Sequence, residues 1–134
     1  MSKISNNNSA FTLPEMLLTA FILSYALSMV LASYVNCMSL NQSSRSLVSA
    51  VSHIEFVMED MRNSAFASIA ANISSGNWNW NGATVTSRGL TALNNESITT
   101  TYTGTNPLDI TVTVSWNEIK GGSHSRTLRT TISG

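Results

Sequence analysis

Residues 16–38 read MLLTAFILSYALSMVLASYVNCM, 23 positions without one charged side chain. At about 1.5 Å of rise per residue, a helix over this run extends about 34 Å, enough to cross a hydrocarbon layer about 30 Å thick. The run is therefore a transmembrane candidate. The uncharged stretch continues to Ser44, just before Arg45, and the only charges ahead of it are the α-amino group, Lys3 and Glu15. That slight positive bias orients the N terminus toward the cytoplasm under the positive-inside rule. No proline lies within the run, and Pro14 falls in the first turn, where its missing N–H costs nothing, so an unbroken helix is expected. Ala20, Ser24, Ser28 and Ala32 recur at every fourth position and form one lightly built face that permits close helix approach.

An apolar run near the N terminus has three possible fates. Cleavage after Val30-Leu31-Ala32 would release a soluble secreted domain starting at Ser33. Lipoprotein processing at Cys37 would require small residues before it, where Tyr34, Val35 and Asn36 stand. The third fate is retention as an anchor, and the border sequence bears on it. There the polar leader MSKISNNNSA gives way abruptly to Phe11-Thr12-Leu13-Pro14-Glu15 and the apolar run.

This border resembles the N-terminal signal of the type IV pilins and the type II secretion pseudopilins, in which a leader ending in a small residue precedes Phe-Thr-Leu-x-Glu and an apolar helix. The family prefers Gly before the cut, where this chain has Ala10. The resemblance implies cleavage by prepilin peptidase between Ala10 and Phe11, N-methylation of Phe11, and an assembly role for Glu15, the fifth residue after the cut. A carboxylate near the end of a membrane span is a functional suspect in its own right. Snorkelling to the interface is its plainer reading; pairing with the new amino group of a neighbouring subunit is the reading the family implies.

Only 10% of the 134 residues are charged, against roughly 25% in an ordinary soluble domain, and seven basic side chains balance seven acidic ones. Ser, Thr and Asn fill the gap with 22, 15 and 14 copies. With no Lys/Arg run there is little to neutralise phosphates, so no nucleic-acid partner is expected. One cysteine forms no internal disulfide, two distant histidines make a poor metal site, and the length allows one domain at most. Neither enzymatic activity nor a cofactor or metal is expected.

Beyond residue 38 the pattern turns amphipathic. Leu47, Val51, Ile54, Met58, Met61 and Ala65 follow at alternating steps of four and three, and Ile69 and Ile73 continue the face. A helix continuous from about Leu13 to Ile73 would be roughly 90 Å long. Glu59 and Arg62 form a weak surface pair on it. His53 beside the stripe and His124 farther on read as surface or edge residues.

Ser74-Ser75-Gly76 breaks the helix, and Asn81-Gly82 reads as a turn. Strands are expected over 98–102, 109–116 and 126–132, with Gly121-Gly122 reversing the chain and 83–86 a doubtful fourth strand. The expected fold class is α+β: a long helix whose second half packs its stripe on a small antiparallel sheet of three or four strands. The sheet segment has too few large apolar groups to fold without that helix. Trp78 and Trp80 would face one way in an extended segment. They are candidate partner contacts for DNA, glycan or secreted cargo, or else they cover the edge of the core.

The expected organisation is a leader over 1–10, a long helix over 11–73 with its transmembrane part at 16–38, and a loop and β domain over 74–134. By resemblance the chain is a structural subunit, stored in the bacterial inner membrane and then assembled into a type IV pilus or a secretion pseudopilus. Its C-terminal domain would be periplasmic or extracellular. Its partners would be prepilin peptidase, sister pilin or pseudopilin subunits, and membrane lipid. The short sheet and the absence of a cysteine pair tilt the expectation toward a minor pilin or pseudopilin.

Overall fold

The computed structural model describes residues 12–118 and 121–134. Helix α1 spans Leu13–Arg62, α2 Phe66–Ser74 and α3 Gly82–Ser87, and the strands are β1 Trp80–Asn81, β2 Ser97–Thr103, β3 Leu108–Asn117 and β4 Ser123–Ile132. The chain divides into two compact units with the boundary between Asn41 and Gln42. A long N-terminal helix whose later part packs on a four-stranded antiparallel sheet bears out the α+β expectation.

In the first unit α1 is unbroken. The amide of Met16 bonds to the carbonyl of Thr12 at 3.1 Å, closing the first turn around Pro14. Glu15 sits in that turn, where the helix dipole favours a negative charge.

In the second unit α1 buries Ala50, His53, Ile54, Val57, Met58 and Met61. The buried face is rotated slightly from the sequence stripe. Ala50 and Val57 take central places, whereas Val51 is only half-buried. The expectation of one helix to Ile73 is corrected: α1 ends at Arg62. Asn63 and Ser64 are poor helix formers whose side chains compete for backbone groups. Ser64 donates from its amide to Met61 O at 3.0 Å and from Oγ to Asp60 O at 3.0 Å, a tightened last turn that ends the helix. The chain restarts as α2, burying Ile69 and Ile73.

Gly76 closes α2 at φ +78°, with its amide on Ile73 O and the Asn77 amide on Asn72 O, both at 3.0 Å. This paired arrangement satisfies the last carbonyls and favours glycine at the left-handed position. The doubtful strand at 83–86 is also corrected, because these residues form α3. Asn81 accepts from Thr84 N at 3.0 Å and so acts as an N-cap, and the Asn-Gly pair opens a helix instead of making a hairpin. The fourth strand is Trp80–Asn81, which pairs with Ile98 and Ser97.

The sheet runs β1-β2-β3-β4, every neighbouring pair antiparallel. β3 is central and alternates as its pattern predicts, burying Leu108, Ile110, Val112, Val114 and Trp116. Gly104, at φ +81°, turns β2 into β3, and a Cβ there would meet Pro107 O at 2.7 Å. Ser and Thr occupy most of the other face. Thr113 and Thr127 share a 2.9 Å hydrogen bond across β3 and β4, and Thr131 donates to Asp109 at 2.8 Å. Much of the uncharged polar composition is placed here. The core joins Ile54, Val57 and Met61 of α1 to Ile69, Val85 and the strands in one cluster.

Candidate functional site

The feature that most needs a function is the N-terminal part of α1. Its large apolar side chains from Leu13 to Leu40 are 48–75% exposed. An 18-residue window in this helix reaches a mean hydropathy of 2.0 with none of it buried, so the helix is long and apolar enough to cross a membrane. Contiguous exposed apolar surface of this kind is what membranes or protein partners cover.

Three of its hydroxyls are compatible with such cover. Thr19 Oγ1 donates to Glu15 O at 2.7 Å, Ser24 Oγ to Ala20 O at 2.8 Å, and Ser28 Oγ to Ser24 O at 2.8 Å. Each hydroxyl proton is thus satisfied inside the helix, which removes most of the cost of taking it out of water. The serines lie on the small-residue face, so close helix approach there would leave no donor unpaired. Glu15 is exposed on the first turn, and Cys37 is exposed. The expected cleavage and methylation positions, Ala10 and Phe11, lie outside the described residues.

Of the two readings of Trp78 and Trp80, partner contact and cover for the core, the structure agrees with the second and corrects the first. They are only 4% and 2% exposed and belong to the core cluster. Trp78 Nε1 donates to Asp60 Oδ2 at 2.8 Å, and Trp80 Nε1 donates to Asn77 O at 3.1 Å. The Arg88 guanidinium stacks over the Trp80 ring at 4.1 Å from its centroid and reaches Asp60 Oδ2 at 3.4 Å. Phe56 meets Trp80 edge-on at 6.0 Å. The two indoles therefore fasten the loop after α2 to α1.

The reading of His53 as a surface or edge residue is corrected too. It is 3% exposed, and its Nδ1–H donates to Glu96 Oε1 at 2.6 Å, while Glu96 Oε2 accepts from Leu93 N at 2.7 Å. This buried pair ties α1 to the segment entering β2. His53 stands one residue before Ile54 and three after Ala50, so the helical period could have placed it inside. Nothing local marks Glu96, which follows Asn94-Asn95 in a turn. His124 is exposed, stacked on Trp116 with ring centroids 5.7 Å apart.

Among the described residues no three His, Cys, Asp or Glu side chains gather where one metal ion could be held. Shallow clefts lie on the surface of the second unit. One of about 180 Å³ lies between α1 and β4, near Trp116 and Arg126. No protein-family model matches the chain, and neither a curated protein nor a solved structure matches it.

Proposed function

We propose that the chain is a structural subunit of a type IV pilus or a type II secretion pseudopilus, a minor pilin or pseudopilin held in the inner membrane before assembly. One conjunction carries the reading. The border Phe11-Thr12-Leu13-Pro14-Glu15 leads directly into an unbroken helix with exposed apolar side chains. A helix of this kind has two suitable surroundings, lipid and the packed helices of sister subunits, and a stored-then-assembled subunit uses both in turn. The serine hydroxyls bonded back into the helix suit either one. Prepilin peptidase would cleave after Ala10 and methylate Phe11, leaving Glu15 at nearly the same depth as the new amino group.

In a medium of low dielectric an unpaired carboxylate costs several kcal/mol, and a partner charge offsets much of that. Glu15 would therefore register each incoming subunit against the amino terminus of its neighbour. Glu15→Ala tests this directly. Cleavage and membrane storage should persist while the amount recovered in sheared filaments falls, and undiminished incorporation would overturn the registration role. The tip-binding alternative through Trp78 and Trp80 has lost its support with their burial. Release of a soluble domain after Ala32 remains the competing reading, and it predicts a different first residue.

A further inference from the structure

The two edges of the sheet are finished differently. On one side β1 is two residues long, and next to it Asn79 Oδ1 accepts from Thr100 N at 2.9 Å while Thr100 Oγ1 donates to Trp78 O at 3.1 Å, so side chains close what β1 leaves open. On the other side β4 runs for ten residues, Ser123–Ile132, in unbroken register with β3 and without a proline. Among the described residues nothing but β3 bonds to its main chain. A long straight edge of this kind is a template for a further strand unless something blunts it. Here only Arg126 and Arg129 do so. Neither guanidinium has a carboxylate within 4.0 Å, although every acidic residue of the chain is among those described.

One register matches β4 to a second copy of itself. Leu128 and Ile132 are half-buried on the core-facing side, beside the buried Val112 and Leu108 of β3, and Thr130 lies midway between them. Antiparallel pairing centred on Thr130 sets Leu128 opposite Ile132 of the copy and Ile132 opposite its Leu128, so the apolar rows of the two sheets become continuous. On the outer face the same register sets Arg129 opposite Thr131 of the copy, whose own β3 neighbour is Asp109. Arg129 and that Asp109 are then two strand spacings apart, about 10 Å between Cα atoms, which an arginine laid across the threonine can span. Within its own chain Asp109 accepts from Thr131 and makes no ion pair. Centring on Thr127 or Leu128 instead puts Arg129 in the row of Ser115 or Thr113, away from any acid, and centring on Arg126 or Arg129 opposes like charges. We propose that two copies of the chain join their β4 edges about Thr130 into one continuous sheet, held by the Leu128–Ile132 and Arg129–Asp109 matches, each made twice. Such a contact is isologous and closes on itself, so it pairs subunits without propagating. It stands or falls apart from the reading of the apolar helix.

A contact along one strand edge is small beside the roughly 1,200 Å² of a stable interface, so the dimer is reversible and the test traps it. The full chain in detergent micelles, with Cys37→Ser to remove its one thiol, receives a single cysteine at Thr130, Leu128 or Ile132 and is mildly oxidised. Thr130→Cys should give a disulfide-linked dimer, because the two thiols face each other across the axis. Leu128→Cys and Ile132→Cys should each give about tenfold less alone, since each lies about 13 Å along the strand from its own copy. Mixed together, those two variants should cross-link. Arg129→Glu should lower the Thr130→Cys yield about tenfold by setting it beside Asp109 of the copy, and adding Asp109→Arg should restore the yield. Equal yields at all three positions, as collision through the apolar helix would give, would overturn the pairing. So would an undiminished yield with Arg129→Glu, or a charge swap that restores nothing. Absence of any Thr130→Cys dimer would also overturn it and leave the edge to a strand of another protein.

Discussion

Helix α1 belongs to two different proteins in physical terms. Before Asn41 its Leu, Ile, Phe and Met side chains stand in the open, and after Gln42 its Ile54, Val57 and Met61 are fully buried. The backbone conformation is the same in both stretches. What differs is where the apolar surface goes: one stretch satisfies itself within its own chain, the other only with something outside it. Hydrophobic periodicity distinguishes the two, since an apolar face on one side serves a core and apolar faces all round serve lipid or other helices.

The sharpest way to break this contrast is to make the same kind of change on each side. Ile54→Ala should lower the unfolding free energy of the folded unit by about 3–4 kcal/mol, by lost transfer energy and a residual cavity. Leu23→Ala should leave that unfolding transition where it is. Denaturant titration of the detergent-solubilised chain reads both, and an equal loss in the two variants would show that the stretches are not energetically separate.

His53→Ala comes next, with an expected loss of about 3 kcal/mol, because the Glu96 carboxylate would stay buried with only the Leu93 amide as partner. Replacing both, as His53→Leu with Glu96→Gln, should recover part of that loss. A double variant as damaged as the sum of the single ones would mean the pair is not coupled. Leu27→Arg probes the other stretch at a similar scale, about 3 kcal/mol of insertion free energy at the centre of a span. It should shift the chain out of carbonate-washed membranes without moving the melting temperature of the folded unit. The smallest effect is Asn81→Ala, about 1 kcal/mol from losing the cap on α3. Thermal unfolding followed by circular dichroism is sensitive enough to detect it.

The elements legible from the residues alone were those whose pattern repeats. The alternation Ile110, Val112, Val114, Trp116 placed β3, and the three-and-four spacing placed the packed half of α1 to within one residue of rotation. Elements set by single contacts were not legible. Val and Thr at 83–86 favour a strand by composition, yet one capping bond from Asn81 makes them a helix. The end of α1 at Arg62 depends on Ser64 turning its amide and hydroxyl back on the preceding turn, a competition that averaged propensity hides.

For the candidate site the same division holds. The apolar helix could be read directly from the sequence. Trp78 and Trp80, two residues apart in an extended segment, leave partner contact and core cover equally open to local reading. Asp60, 18 residues before Trp78, supplies the acceptor that draws its indole inward. The His53–Glu96 pair joins residues 43 positions apart, and no local spacing announces such a contact.

The exposed helix is expected to stay on the finished protein. Intact mass and N-terminal sequencing of the chain recovered from its native membrane test it most directly. A product beginning at Phe11 and carrying one added methyl group is expected. A product beginning at Ser33, found free of membrane, would contradict it.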